Sequence, residues 1–484
     1  MGLLGILLGL ALLVWLAFRG WSVLLLAPLA ALIAAAFAGE PLLAHWTQTF
    51  MGSAARFVAQ FFPLFLLGAV FGKLMDDTGS VTAIADFMTE KLGQKRAVLA
   101  VVLAGALVTY GGVSLFVAFF VLAPMAQALF RAANIPRRLM PAAITLGTST
   151  FTMSALPGTP SIQNAIPMPF FGTTPFAAPG LGILASAIML GFGLWWLQRQ
   201  ERVARAKGEG FGPDSPVAAA ALADDTVLRE RASTAREFDP AEILHGQHAP
   251  TTPPIALAVL PLAVVVLVNL VMSLLVLPRL DAGFLAEPRW GQTSLSAVGG
   301  VWAVATALAA AIVVLILVNG RRLPSLRETM DAGANASGLP VLSVASLVGF
   351  GAVVAALPAF GLVRDWVLGI GGGPLVSLAV ATNVLAALTG SASGGLTIAL
   401  EALGPTFMAL ARDTGLDPAL LHRVAVIGAG TLDGLPHNGA VVTMLAVCGT
   451  THRESYWDIV MVGIVGALVA LAVVIVLGSS VGSF

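Results

Sequence analysis

The fold class the sequence predicts is an all-α polytopic membrane protein, and three observations predict it. The chain of 484 residues is 58% hydrophobic and only 10% charged, against about 25% charged in soluble domains. One globular core cannot hide that much apolar surface, so lipid must. Apolar stretches near the roughly 20 residues that a spanning helix needs recur along the chain. The basic residues sort to alternate ends of those stretches, as the positive-inside rule requires. The same composition excludes other classes. Lys+Arg and Asp+Glu are both 25, so no basic excess points to nucleic acid. The single cysteine, Cys448, rules out a disulfide framework and a cysteine metal cluster. No metal and no cofactor is expected.

The elements follow in order. The apolar run 3–18 lacks a basic leader and is followed, after Arg19 and Gly20, by a second run from 21 to 37, so it reads as a retained first helix rather than a signal peptide. Spans are expected near 2–18, 21–38, 57–75, 180–198, 255–277, 295–318, 339–357 and 456–478. Four shorter pieces flank two Gly/Ser-rich interruptions. They are 95–108 and 113–130 around Thr109-Tyr-Gly-Gly-Val-Ser114, and 373–388 and 394–411 around Thr389-Gly-Ser-Ala-Ser-Gly-Gly395. Each pair is too short and too broken for two spans and is read as a re-entrant hairpin. Two further segments, 139–177 and 422–450, are helices interrupted at Leu156-Pro-Gly-Thr-Pro-Ser161 and Leu435-Pro-His-Asn-Gly439. Proline removes a donor and glycine frees the backbone, and lipid cannot satisfy the amides and carbonyls so exposed. Such breaks survive only inside protein or against a wet cavity.

The chain also repeats itself. Pro124-Met-Ala-Gln-Ala-Leu-Phe-Arg131 aligns with Pro405-Thr-Phe-Met-Ala-Leu-Ala-Arg412, sharing Pro, Ala, Leu and Arg in register. Thr109 precedes Pro124 by 15 residues and Thr389 precedes Pro405 by 16, while Pro157 and Pro436 follow those prolines by 33 and 31. Internal duplication is the economical reading. Residues 1–198 then form a first repeat, with two lead-in spans, a scaffold span, the hairpin 95–130, the broken helix 139–177 and the span 180–198. Residues 199–252 form a cytoplasmic linker. Residues 253–484 form a second repeat, with the hairpin 373–411 and the broken helix 422–450. Five spans per half, an odd number, makes the second repeat inverted, with broken helices at the midplane. With the N-terminus outside, 19 basic residues fall in inner segments and 6 in outer ones, accounting for all 25. Lys73 is counted among the inner residues and Arg423 among the outer. None is expected at membrane depth.

The acidic residues left at depth are Glu401 and Asp433, joined by the histidine His437, and intramembrane ionisable groups are functional candidates. Asp433 and His437 are four residues apart, which places them on one face of a continuing helix. A carboxylate beside an imidazole suits proton uptake and release. The alternatives are that Asp433 caps the broken helix, that His437 is its satisfied neighbour, and that Glu401 pairs with a hydroxyl at a packing interface. Without a cation at depth, a bound anion must be held by half-helix N-termini and neutral donors. In the first half these are Thr109, Gly111, Gly112, Ser114, Gly158, Thr159, Ser161, Gln163 and Asn164. In the second they are Thr389, Ser391, Ser393, His437, Asn438 and Gly439. Arg423, the basic residue nearest the tips in sequence, has no part in binding on this reading. Thr148, Ser149, Thr150 and Thr152 are assigned to helix packing.

An intramembrane enzyme needs a nucleophile with its base or closely spaced metal ligands, and neither His-Glu-x-x-His nor Gly-x-Ser-x-Gly occurs. Gly68-Ala-Val-Phe-Gly-Lys73 has three residues between its glycines where a phosphate loop has four. A secondary carrier is therefore expected. A channel shares the hairpins and is told apart by counterflow, and sodium coupling stays open because hydroxyls and tip carbonyls ligate sodium.

Phe65-Leu-Leu-Gly-Ala-Val-Phe-Gly-Lys73, then Gly79, Ile84-Ala85, Asn134-Ile-Pro136 and the Pro-Gly break at 157–158 resemble the gluconate permease (GntP) family over nearly the whole chain outside the linker. The resemblance implies a proton-coupled symporter of hydroxylated monocarboxylates in the inner membrane, on the elevator-type scaffold of the ion-transporter superfamily, working as a homodimer. The chain departs from the gluconate carriers in reading Leu156-Pro-Gly-Thr-Pro160 where they have a His-Pro-Gly-Pro type segment. Its Ser161-Ile-Gln-Asn-Ala-Ile-Pro-Met-Pro-Phe-Phe-Gly172 is more similar to the subgroup associated with ketone-body acids. The expected partners are 3-hydroxybutyrate or a gluconate-like acid, a proton and lipid.

Overall fold

Residues 1–18, 21–212, 247–436 and 438–484 are described in a computed structural model, and every regular element among them is helical. The chain opens with α1 (Gly2–Phe18) and α2 (Val23–Ala38), followed by α3 (Leu42–Asp77) and α4 (Ser80–Leu92). Next come α5 (Gln94–Tyr110), α6 (Leu115–Ala132), α7 (Met140–Thr148), α8 (Phe151–Ser154), α9 (Ile162–Ala165), α10 (Pro167–Phe171) and α11 (Pro179–Ala206). After residue 247 the order is α12 (Ile255–Arg279), α13 (Leu295–Arg322), α14 (Leu326–Ala336), α15 (Gly338–Ala356), α16 (Phe360–Leu368) and α17 (Pro374–Thr389). The chain closes with α18 (Ala392–Thr414), α19 (Pro418–Thr431), α20 (Gly439–Val447) and α21 (His452–Val481). Among the described residues seven helical runs are long and apolar enough to cross a membrane, with α14 and α15 counted as one run, Leu326–Ala356. The protein is a multi-pass membrane protein.

The order of elements repeats. A long helix α3, a short helix α4, a helix pair α5/α6, a broken helix α7 to α10 and a long helix α11 are followed later by α15, α16, α17/α18, α19/α20 and α21 in the same succession. The two pairs lie within three residues of the limbs expected from the Gly/Ser interruptions. α4 and α5 meet at 102°, so the chain turns sharply before the first pair begins. The limbs of the second pair, α17 and α18, pack on one another. Gly395 allows this, since a Cβ there would lie 2.2 Å from the Ala386 amide nitrogen. Two spans are longer than hydropathy suggests. α3 begins at Leu42, passing through a π-helical turn at His45–Phe50, and α11 runs on to Ala206, where Arg205 and Glu201 pair at 2.8 Å. Polar turns end the hydropathy signal there without ending the helix, because i,i+4 pairs and helix-forming side chains carry the backbone onward.

Charge placement corrects one expectation. Lys73 and Arg423, both assigned to aqueous segments, are wholly buried. Lys73 Nζ lies 2.9 Å from Asp77 Oδ1, one helical turn on, and both side chains are fully buried. Reading charges one at a time hides this, since an i,i+4 pair largely neutralises itself and travels into the protein together. Asp77 also accepts from Thr329 Oγ1 of α14 at 2.8 Å, pairs with His248 Nδ1 at 2.8 Å, and takes the Ala249 amide on its backbone carbonyl at 2.7 Å. His248 and Ala249 are thereby tied to α3 and α14. The chain leaving α11 is tied elsewhere: Arg138 pairs with Glu209 at 2.8 Å and with Asp458 of α21 at 2.7 Å, and the Phe211 amide donates to Asn134 Oδ1 at 3.0 Å.

The hydrogen bond to Asp77 holds the His248 imidazole above its ordinary value of 6.5. A basic group with a raised folded-state pKa stabilises fully below its unfolded value, and that contribution disappears as pH rises through the folded value. The melting-temperature difference between wild type and His248→Gln in detergent should therefore be largest near about pH 5.5 and shrink towards about pH 8.5. A difference that grows with pH would contradict the tether.

Candidate substrate site

Each break exposes backbone groups, and neighbouring side chains satisfy them. At the first, Tyr110 Oη donates to the Pro157 carbonyl at 2.8 Å, Asn269 Nδ2 of α12 donates to the Gly158 carbonyl at 2.9 Å, and the Gly158 amide donates to the Pro175 carbonyl at 2.9 Å. At the second, Tyr456 Oη donates to the Gly434 carbonyl at 3.2 Å and His452 Nε2 to the Pro436 carbonyl at 2.7 Å. Asn438 Nδ2 reaches across to the Gly390 carbonyl at the tip of the second pair, at 2.9 Å. In lipid such groups have no water to turn to, so these contacts are what let the helices stop inside the protein.

Beside the first break, where both tips reach it, lies a cavity of ≈ 170 Å³. The first tip contributes Thr109, Gly112 and Ser114, the segment after the first break Ser161 and Gln163, and the second tip Ser393. Leu64, Phe65 and Gly68 of α3 form one wall, and Ser337, Pro340 and Val344 at the α14–α15 junction form another. Its lining carries no acidic residue. Gly112 has φ +99, and a Cβ there would lie 2.9 Å from Pro160 Cγ, so only glycine lets the tip fold against the break. Two lining side chains keep open polar atoms: neither the Ser114 hydroxyl nor the Gln163 carboxamide has a hydrogen-bond partner among the described residues. The first α6 amide to bond backwards is Ala118, to the Ser114 carbonyl at 3.1 Å. The three preceding amides stand at the positive end of an 18-residue helix beside the cavity.

The other expected binding residues among the described ones do not line this cavity, and most are engaged elsewhere. Asn164 donates to the carbonyls of Thr159 and Pro175 at 3.0 and 3.1 Å. Asn438 is spent on Gly390, Asp433 and the Ala440 amide. Thr389 bonds back to Leu385 at 2.8 Å, and Ser391 caps α18 through the Gly394 amide at 3.0 Å. A Cβ on Gly111 would press on Leu262 of α12 at 2.2 Å. Gly158 and Thr159 shape the break, and Gly439 begins α20. His437 lies outside the described residues.

The family model of GntP family permeases matches residues 1–168. The uncharacterized transporter YxjC of Bacillus subtilis (strain 168) is 40% identical over 482 residues, 98% of this chain and 98% of its own. The chain belongs to the GntP permease family. Its fold is similar to that of the YdaH transporter of Alcanivorax borkumensis, with a TM-score of 0.54 at 18% identity over 90% of this chain and 87% of that one. It is also similar to MtrF of Neisseria gonorrhoeae, at 0.54 and 15% over 90% and 85%. This GntP permease is accordingly a transporter and not an enzyme.

In the permease, Asp433 sits in the turn Leu432–Gly434 before the second break and accepts from Asn438. Glu401 lies on α18 against Ser53 and Arg56 of α3, away from the cavity lining. Arg423 overturns the expectation that no cation attends the breaks. From α19 it sends Nε and Nη2 to the Ala177 carbonyl at 3.1 and 2.7 Å, and Nη1 to the Ser154 carbonyl at 3.4 Å and Asn164 Oδ1 at 3.5 Å. Its neighbour His422 bridges Thr173 Oγ1 at 2.6 Å and Asn164 Oδ1 at 3.1 Å. Arg423 stands near the start of a helix, which counts it with the outer segments in sequence, and the position of Ser154 beneath it is a tertiary fact. Asn269 was findable: it is a lone amide in an otherwise apolar span, and counting neutral polar residues at depth would have raised it.

Truncating Asn438 strands the Gly390 carbonyl, and an unsatisfied buried group costs about 1–3 kcal/mol. Asn438→Ala should therefore lower the melting temperature of purified protein, while Gln163→Ala, which removes no internal hydrogen bond, should leave it unchanged. Equal melting shifts in the two variants would contradict this division of labour.

Proposed function

We propose that the protein is a secondary active transporter that carries a small hydroxylated monocarboxylate together with a proton across the cell inner membrane. One observation carries the anion assignment: the unfilled positive end of α6, with Ser114 and Gln163, faces a cavity whose lining has no acidic residue. Helix N-termini with free amides are anion sites without further help. The cavity is small beside the roughly 300–1,000 Å³ of drug-sized sites. Its Leu64, Phe65 and Val344 walls favour a short acid of the 3-hydroxybutyrate type over a long polyol such as gluconate. Asp433 and His437 are our candidates for the proton, with Glu401 a third. The recurring element order and the two tips that meet at one cavity support a pair of inverted repeats, with five spans and a re-entrant hairpin each, moving as an elevator in a homodimer.

The test is uptake into proteoliposomes over a panel of hydroxy and keto monocarboxylates, with proton and sodium gradients imposed separately. A proton gradient alone should drive accumulation, and preloaded substrate should accelerate entry. Accumulation driven only by sodium would make it a sodium symporter, and absence of counterflow would make it a channel. A hydrogen bond to a charged group is worth about 1.5–3 kcal/mol, so Ser114→Ala and Gln163→Ala should each weaken substrate binding by about tenfold to a hundredfold. Asp433→Asn should abolish gradient-driven accumulation and leave exchange.

A further inference from the structure

The guanidinium of Arg423 is fully buried, yet every acceptor it reaches is neutral: the carbonyls of Ala177 and Ser154 and the Asn164 carboxamide. No carboxylate pairs with it among the described residues. Other carbonyls freed at the two breaks and at the second tip are held by neutral donors, from Tyr110, Asn269, Asn438 and Tyr456. Clamping carbonyls therefore does not by itself require a charge here. A buried cation without a counter-ion is strongly unfavourable unless something compensates it. Its acceptors adjoin the cavity: Ser154 follows Met153, and Asn164 follows Gln163, both lining residues, while Ser161 Oγ donates back to the Met153 carbonyl at 2.9 Å. The close approach is permitted by Gly182 of α11, where a Cβ would lie 3.3 Å from Arg423 Nε.

We propose that Arg423 is a positioning residue that sets the charge selectivity of the cavity, its unpaired buried guanidinium supplying the positive potential that retains a carboxylate it does not touch. The bound anion is the counter-ion that the protein omits. This rests on the monocarboxylate reading above and adds to it the source of the charge discrimination. Over on the order of 10 Å at an effective dielectric of about 20, one unit charge changes anion affinity by roughly tenfold.

The experiment measures binding of gluconate and 3-hydroxybutyrate, and of their neutral primary amides, to purified wild type, Arg423→Lys and Arg423→Gln. In Arg423→Gln the preference for carboxylate over amide should fall about tenfold with amide affinity nearly constant. Arg423→Lys, which keeps the charge and loses the planar fork, should keep the preference. A parallel loss of acid and amide binding in Arg423→Gln would mean that the residue only holds the break together and would overturn the proposal. Loss of the preference in folded Arg423→Lys would do the same. If Arg423→Gln does not fold, the lysine variant decides alone. Failure of wild type to bind either carboxylate would sink the monocarboxylate reading itself and the proposal with it, a result read on wild type and distinct from the others.

Discussion

Backbone inside a bilayer has to find all its hydrogen-bond partners within the protein, and the two broken helices are where this chain meets that demand. Stopping a helix at Pro157 or Pro436 leaves amides and carbonyls that cost several kcal/mol each in hydrocarbon. The response is the same at both ends of the molecule: a tyrosine hydroxyl on one carbonyl, an asparagine amide on another, and a glycine-rich tip packed close by. These contacts draw α5, α12, α17 and α21 around the breaks. The cavity is what remains where the tips approach and the ladder is not closed.

Charge is handled in three ways. Lys73 and Asp77 bury as a pair, which is tolerable because each supplies the other's counter-ion and Thr329 fills a further lone pair. Removing one member of such a pair typically costs about 3–5 kcal/mol, because the survivor is left buried and alone. Arg138 bridges Glu209 and Asp458 at a partly exposed site, where solvent screening keeps each contact modest. Arg423 has no carboxylate at all among the described residues and leans on carbonyl dipoles. Only this third arrangement leaves positive potential to spare beside a cavity.

The ties at the two ends of the segment 213–246 fall on different parts of the fold. Glu209 and Phe211 hold to the turn between α6 and α7, whereas His248 and Ala249 hold to the end of α3 and to α14 through Asp77 and Thr329.

Composition and period were enough to determine that this chain lives in a membrane, roughly where its long apolar helices run, and where its backbone must break, though not the shorter helices Ser80–Leu92, Leu326–Ala336 and Phe360–Leu368. Apolar length sets a span, and proline and glycine together inside an apolar segment interrupt it, so the tips at 109–114 and 389–395 and the breaks at 156–161 and 435–439 were legible as sequence. Of the site, Thr109, Gly112, Ser114, Ser161, Gln163 and Ser393 could be named because glycine and hydroxyl clusters at helix interruptions have local causes. Which polar atoms stay free could not be read. Asn164 and Asn438 look as available as Gln163 until His422 and Gly390, 258 and 48 residues away, are seen to occupy them. The burial of Lys73 and Arg423 was hidden for the same reason: a charge's cost depends on what stands beside it, and only the tertiary structure brings Asp77 under Thr329 or Ser154 under Arg423.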